Sequence, residues 1–310
     1  MKNLYRSIAS AALVCLGATW LHPTSTWQAR AADVEPVTIQ FQANVGDQPF
    51  SCDQSYTIGT PASRVTPLDF RFYVSEVALI DAEGNTVPLT LEQDRRWQYE
   101  NVALLDFEDK SGGCANGTVE MNDRIIGTVP AGDYTGLQFT VGVPFELNHA
   151  DATLAASPLN LTSLWWNWQS GYKFARIDLS LQNQTGMLPE AVKHEGSYDS
   201  PHGEEQSSQA FFIHLGSTGC ESAEGNQSPS SCSNPNRATV TLPEFDPNQN
   251  VVVADLAVLV ANTDLSSNQP DTAPGCMSAP NDSDCVGIMN ALGLPVNGAA
   301  APQQTFLRVE

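Results

Sequence analysis

The sequence predicts an all-β protein, an elaborated antiparallel β-sandwich with long disulfide-tethered loops. Three observations carry this. Short segments rich in Val, Ile, Thr, Phe and Tyr recur between clusters of Gly, Pro, Asn and Asp. One of them, "DFRFYVSEV" (69–77), alternates apolar and polar residues and sets Phe70, Phe72 and Val74 on one face. No long run has the 3.6-residue period of an amphipathic helix.

Taken in order, the candidate strands are Val37–Val45, Leu68–Ile80, Val87–Leu91, Trp97–Phe107, Tyr134–Val143, Tyr172–Leu181, Gln209–Leu215, Ala238–Leu242 and Val251–Val260. Short helical turns are predicted over Ser157–Leu164, Ala191–His194 and Gly287–Leu292. Three stretches read as loops. Lys193–Ser208 is polar, Glu221–Arg237 is rich in Ser, Asn and Pro, and Asp264–Pro302 has little strand signal. No internal repeat or clean linker divides the chain, so one domain over 32–310 is expected.

The first 31 residues read as a secretory signal peptide. Lys2 and Arg6 supply a basic start, Ile8–Leu21 is mostly apolar, and Ala29-Arg30-Ala31 offers a small-x-small cleavage site. The apolar run is too short to span a bilayer. Cys15 follows Ala12-Leu13-Val14, a poor lipobox. The chain is therefore expected to be periplasmic or secreted, without membrane insertion. Cleavage would remove Lys2, Arg6 and Arg30 and no carboxylate, moving the formal charge from −21 to −24. Such a chain repels nucleic acid and anionic membranes and attracts metal cations or a basic partner. Charge of this sign also serves plain solubility.

Six cysteines would remain: Cys52, Cys114, Cys220, Cys232, Cys276 and Cys285. An even count in an exported chain argues for disulfides, and six cysteines allow about 15 pairings. Proximity suggests Cys220 with Cys232 and Cys276 with Cys285, which leaves Cys52 with Cys114. None shows the CxxC spacing of a zinc or redox site.

The chemistry-bearing residues are few. The mature chain has four histidines, His149, His194, His202 and His214. Imidazole is the commonest protein ligand for copper and zinc, and His149 and His214 lie near strand ends, where sandwiches build sites. Each also fits a structural, hydrogen-bonded role, and His194 and His202 fit a solvated loop. "LWWNWQSGYKF" (164–174) places three tryptophans within four positions. A strand beginning at Trp166 would set Trp166 and Trp168 on one face and Trp165 on the other. Three accounts fit the cluster: a core seam, a stacking platform for sugars, or a chemical role. Indole is a poor metal ligand, but its oxidative opening to kynurenine frees an aromatic amine that can bind Cu(I). "LLDFEDKSGGC" (104–114) lacks the ligand spacing of a calcium loop. No nucleophile–base–acid set is found, and no GxSxG, HExxH or P-loop stands in a convincing context. Five Asn-x-Ser/Thr sequons occur, beginning at Asn116.

"DFRFYVSEVALI", "ALLDFED", "GCANGT", "GVPFELNHAD", "LWWNWQSGYKFARID", "FIHLGSTGC" and "CMSAPNDSDC" follow one another in this order. Together they resemble the MbnP-like family, the exported four-cysteine proteins of the metallo-mystery pair, from about Val37 to about Leu292. The resemblance implies a β-rich periplasmic protein that handles copper and is not itself an enzyme. It also implies a partner, a di-haem MbnH/MauG-like peroxidase that oxidises a tryptophan of the MbnP-like protein to kynurenine. Related copper-repressible surface proteins bind copper through kynurenine and two histidines.

Residue by residue, the family's Asn-His-x-Asp falls on Asn148 to Asp151 and its Trp-x-Trp on Trp166 and Trp168. Its His-Leu-Gly-Ser-Thr-Gly-Cys falls on His214 to Cys220. The Trp-x-His pair of the surface proteins is absent, since Leu147 precedes Asn148 and His149. The leading expectation is a Cu(I)-binding protein with His149, His214 and a kynurenine from Trp166 or Trp168 as ligands. Its rival is a carbohydrate- or partner-binding sandwich module in which the tryptophan cluster is structural.

Overall fold

The computed structural model describes residues 33–182, 210–222 and 228–310. The signal-peptide segment, the helical turn at Ala191–His194, and His194 and His202 lie outside the described residues. Asp33–Glu310 form one compact unit. Strands dominate it, in two main sheets.

The first sheet is built on Val34–Val45, which pairs antiparallel with Arg124–Pro130 and parallel with Val252–Asp255; Leu307–Val309 and Thr90–Leu91 lie at its two edges. The second is built on Ser63–Asp81. That long strand pairs antiparallel with Tyr134–Val141, with Ala175–Leu181 and with Val102–Asp106. Ala210–Leu215 continues the sheet beyond Ala175–Leu181. The sheets close on each other through aromatic contacts. Phe41 meets Phe139 edge-on at 5.7 Å, and Phe306 lies 6.4 Å from Phe70 and 6.0 Å from Phe72. All five rings are buried in the core, each worth roughly 1.5–3 kcal/mol of apolar burial. The elaborated all-β sandwich read from the sequence is the observed class.

Several elements depart from expectation for visible reasons. Val87–Leu91 is two strands, because the chain changes sheets at Leu89: Thr86–Pro88 pairs with Ser63–Asp81, and Thr90–Leu91 pairs with Arg124–Pro130. Trp97–Phe107 is a hairpin, Gln98–Tyr99 against Val102–Asp106. Val251–Val260 is a strand only to Asp255. There the Asp255 carboxylate accepts the backbone N–H groups of Ala257 and Val258, and Leu256–Leu259 turns helical. The short helical turns Thr162–Leu164 and Val286–Ala291 fall where the sequence placed them. Arg124–Pro130 is a strand the sequence reading omitted.

Disulfides join Cys52–Cys114, Cys220–Cys232 and Cys276–Cys285. Both sulfurs of the first and third pairs belong to buried residues. Cys220–Cys232 instead lies directly across a two-stranded ribbon, Thr218–Glu221 against Ser231–Asn234, with Cys232 only partly buried.

Candidate metal centre

His214 sits near the end of Ala210–Leu215, opposite Arg176 on the neighbouring strand. Its ring is buried, and its Nε2 lies 2.8 Å from Asp178 Oδ1. Two D-x-R-type alternations build this neighbourhood. Asp69 and Arg71 project from one strand, Arg176 and Asp178 from the next, in register so that Arg176 faces Arg71 and Asp178 faces Asp69. Like charges directly opposite would repel. The pairs form along each strand and on one diagonal instead: Arg71 grips Asp69 with two nitrogens, Arg176 Nε is 2.8 Å from Asp178 Oδ2, and across the strands it is 3.1 Å from Asp69 Oδ2. Burial alone would raise Asp178, but the hydrogen bond from His214 and the charge of Arg176 hold its carboxyl below the usual range. Burial lowers His214 and favours its neutral ring, against the pull of Asp178. Lys173, beside this network, is pushed down to about 8 by burial and by Arg176.

His149 caps the one-turn helix Phe145–Asn148, which begins after Pro144. The Phe145 ring meets the imidazole edge-on at 4.8 Å. The His149 Nδ1 lies 3.4 Å from the Trp168 carbonyl oxygen. Its Nε2 lies 3.2 Å from Asn148 Nδ2 and 3.5 Å from Cys232 Sγ. Burial lowers this imidazole too. Among the described residues, the one set of three or more metal-type ligand atoms gathered within 4.8 Å is His149, Cys220 and Cys232. No hydrogen bond or ring contact joins His149 to His214 among the described residues.

The tryptophan segment lies between the two histidines as a tight hairpin, and not as one strand running on from Trp166. Trp165–Asn167 pairs with Gly171–Tyr172. The Asn167 side chain accepts the N–H groups of Gln169 (2.9 Å) and Ser170 (2.8 Å), closing the turn. Gly171 has φ +75°, and a Cβ there would lie 2.4 Å from the Asn148 carbonyl oxygen, so only glycine fits. Asn148 also accepts the Tyr172 N–H through Oδ1 at 2.8 Å, tying the hairpin to the His149 turn. Trp165 packs against the core with its indole N–H buried and unpartnered. Trp166 lies in the strand with its ring on Gly216, two residues past His214; a Cβ on Gly216 would come within 2.4 Å of that ring. Trp168 sits in the turn and is 44% exposed.

The hairpin thus touches both neighbourhoods, through the Trp168 backbone on one side and the Trp166 ring on the other. Each histidine has one nitrogen facing an oxygen: Nδ1 of His149 the Trp168 carbonyl, and Nε2 of His214 the Asp178 carboxylate. A carboxylate or carbonyl behind an imidazole is the usual orientation of a metal-binding histidine. Neutral buried imidazoles are donors suited to a soft cation such as Cu(I). The sequence reading missed Asp178, Arg176 and Asn148 as supports of the site. The signal was charge alternating through otherwise apolar strands, in "DFR" (69–71) and "ARID" (175–178).

Residues 34–278 match the model of the MbnP family. Among solved structures, the chain resembles MbnP from Methylosinus trichosporium, with 28% sequence identity and a TM-score of 0.73, covering 89% of this chain and 98% of that one. No curated protein matches the chain.

Proposed function

The chain belongs to the MbnP family, and from that premise we propose that it is an exported, non-enzymatic copper-binding protein. Cu(I) is held by His149, His214 and a kynurenine made from Trp166 or Trp168 by a di-haem MbnH/MauG-like peroxidase. The observation that carries this reading is the placement of the tryptophan hairpin against both histidine neighbourhoods. Neither imidazole is burdened by a proton at neutral pH, since burial lowers both. Disulfides support an extracytoplasmic compartment, and no described helix is long and apolar enough to cross a membrane. The acidic surface favours docking of a basic face of the enzyme.

A sugar platform would need a row of exposed indole faces. Among the described tryptophans Trp168 alone is exposed, which favours the copper reading.

The test is Cu(I) competition titration before and after treatment with peroxide and the di-haem enzyme. Affinity rises after one tryptophan, Trp166 or Trp168, has lost one carbon and gained one oxygen. His149→Ala and His214→Ala each weaken binding at least about tenfold, while His194→Ala and His202→Ala leave it unchanged. Equal affinity in treated and untreated protein would remove kynurenine from the ligand set.

A further inference from the structure

We propose that the Cys220–Cys232 pair is a reducible gate, and that its dithiol form completes a second soft-metal site with His149. This site needs neither kynurenine nor His214, so it stands apart from the function proposed above while sharing one residue with it.

Three observations carry it. The His149 Nε2 lies 3.5 Å from Cys232 Sγ, and the three candidate donor atoms are mutually within 4.8 Å. The two cysteines face each other in register on a ribbon, with Cα atoms 3.8 Å apart. Opening the S–S bond therefore leaves both sulfurs near the imidazole without rebuilding the backbone. Cys232 is only partly buried, whereas both cysteines of each other bridge, like its own partner Cys220, are buried. A reductant in solution reaches this bridge first. The ribbon is also tied to the tryptophan turn, because Gln169 Nε2 donates to the Cys220 carbonyl at 3.1 Å, which fixes the sulfurs over His149.

The chemistry balances as thiol–disulfide exchange. A small dithiol attacks one sulfur and forms a mixed disulfide. Its second thiol then displaces the other sulfur, so the dithiol leaves oxidised to a cyclic disulfide and Cys220 and Cys232 leave as two thiols. Two electrons and two protons pass to the protein. Binding of Cu(I) displaces those two protons and gives two thiolates and one imidazole around the cation. Thiolates are the strongest protein donors for Cu(I), whereas a disulfide sulfur is a feeble one. Reduction therefore switches the site on.

The test uses full mature protein made without the di-haem enzyme, so that every tryptophan is intact. The protein is treated with a small dithiol until alkylation mapping shows Cys220 and Cys232 free and the other four cysteines still paired. Cu(I) is then titrated against a chromogenic chelator. The expected result is one additional Cu(I) per chain, absent from untreated protein. That equivalent is lost in Cys232→Ser, falls at least about tenfold in affinity in His149→Ala, and persists in His214→Ala. The proposal is overturned if the selectively reduced protein takes up no more Cu(I) than the untreated one, or if His149→Ala leaves the new equivalent unchanged. Circular dichroism of the reduced protein accompanies the titration. Loss of the strand spectrum on selective reduction would also overturn the proposal, because the ribbon would not then hold the donors. Failure of the kynurenine-dependent site leaves this outcome unaffected, since no kynurenine is present.

Discussion

The two histidine neighbourhoods are built from opposite materials. His214 stands in a lattice of buried charges, with Asp69, Arg71, Arg176 and Asp178 pinned on adjacent strands of the largest sheet. His149 stands on a one-turn helix among a phenyl ring, an amide, a backbone carbonyl and a disulfide. Burial favours the neutral ring in both. The difference lies in what fixes each ring: long-range strand register holds His214, and local turns with a cross-link hold His149. One half of the site should therefore fail through unpaired charge, the other through loss of local packing.

The largest expected effect is in the ionic half. Asp178→Ala takes the carboxylate from His214 and leaves Arg176 with Asp69 alone, and breaking a buried pair costs about 3–5 kcal/mol. Denaturant unfolding measures this, and a loss below about 1 kcal/mol would show that the lattice is not what fixes His214. Where the tryptophan hairpin meets the His214 strand, Gly216→Ala drives a methyl group into the Trp166 ring and toward the Tyr172 carbonyl, 2.8 Å from the new Cβ. The expected cost is about 1–3 kcal/mol, with a shift in tryptophan fluorescence; an unperturbed spectrum would mean that Trp166 does not depend on that seat.

A smaller, pH-dependent effect probes the far end of the lattice. Burial raises Asp106 to about 7, against the pull of Arg71. An unfolded Asp releases its proton near pH 4. Between those values the folded chain holds a proton the unfolded chain has lost, so this group's contribution to stability falls as pH rises from about 4 to about 7. Asp106→Asn should therefore be stabilising at pH 8, by about 1 kcal/mol or more, with the gain vanishing near pH 4. A gain that is the same at both pH values would contradict the assignment. The smallest effect is expected at Trp168→Phe, whose side chain is the most exposed of the cluster. Stability should change by no more than about 0.5 kcal/mol, and a larger loss in thermal unfolding would mark Trp168 as a structural member of the hairpin.

The sequence made the strands legible where one face is apolar and turn residues bound the run, as at Val34–Val45 and Tyr134–Val141. It was misleading where apolar residues fill all positions but one: "VVVADLAVLV" has no period to separate strand from helix, and the capping role of Asp255 decides between them. "DFRFYVSEV" shows its apolar face plainly, but its polar face is buried as well. The partners that bury Asp69 and Arg71 come from strand register, which alternation in one segment cannot reveal. His149, His214 and the tryptophans could be picked out by residue type and family resemblance. That His149 meets a disulfide, and that Trp168 occupies a turn, depends on the Asn167 turn and the Asn148–Tyr172 bond, which tie together segments distant in sequence.

X-ray absorption at the copper edge, on enzyme-treated protein with all three disulfides intact and one Cu(I) bound, tests the central claim most directly. The account predicts a first shell of nitrogen only, with the multiple scattering of two imidazoles and a third nitrogen from the aromatic amine, and loss of one imidazole in His149→Ala or His214→Ala. A sulfur-containing shell, or a spectrum unchanged in both variants, would contradict it.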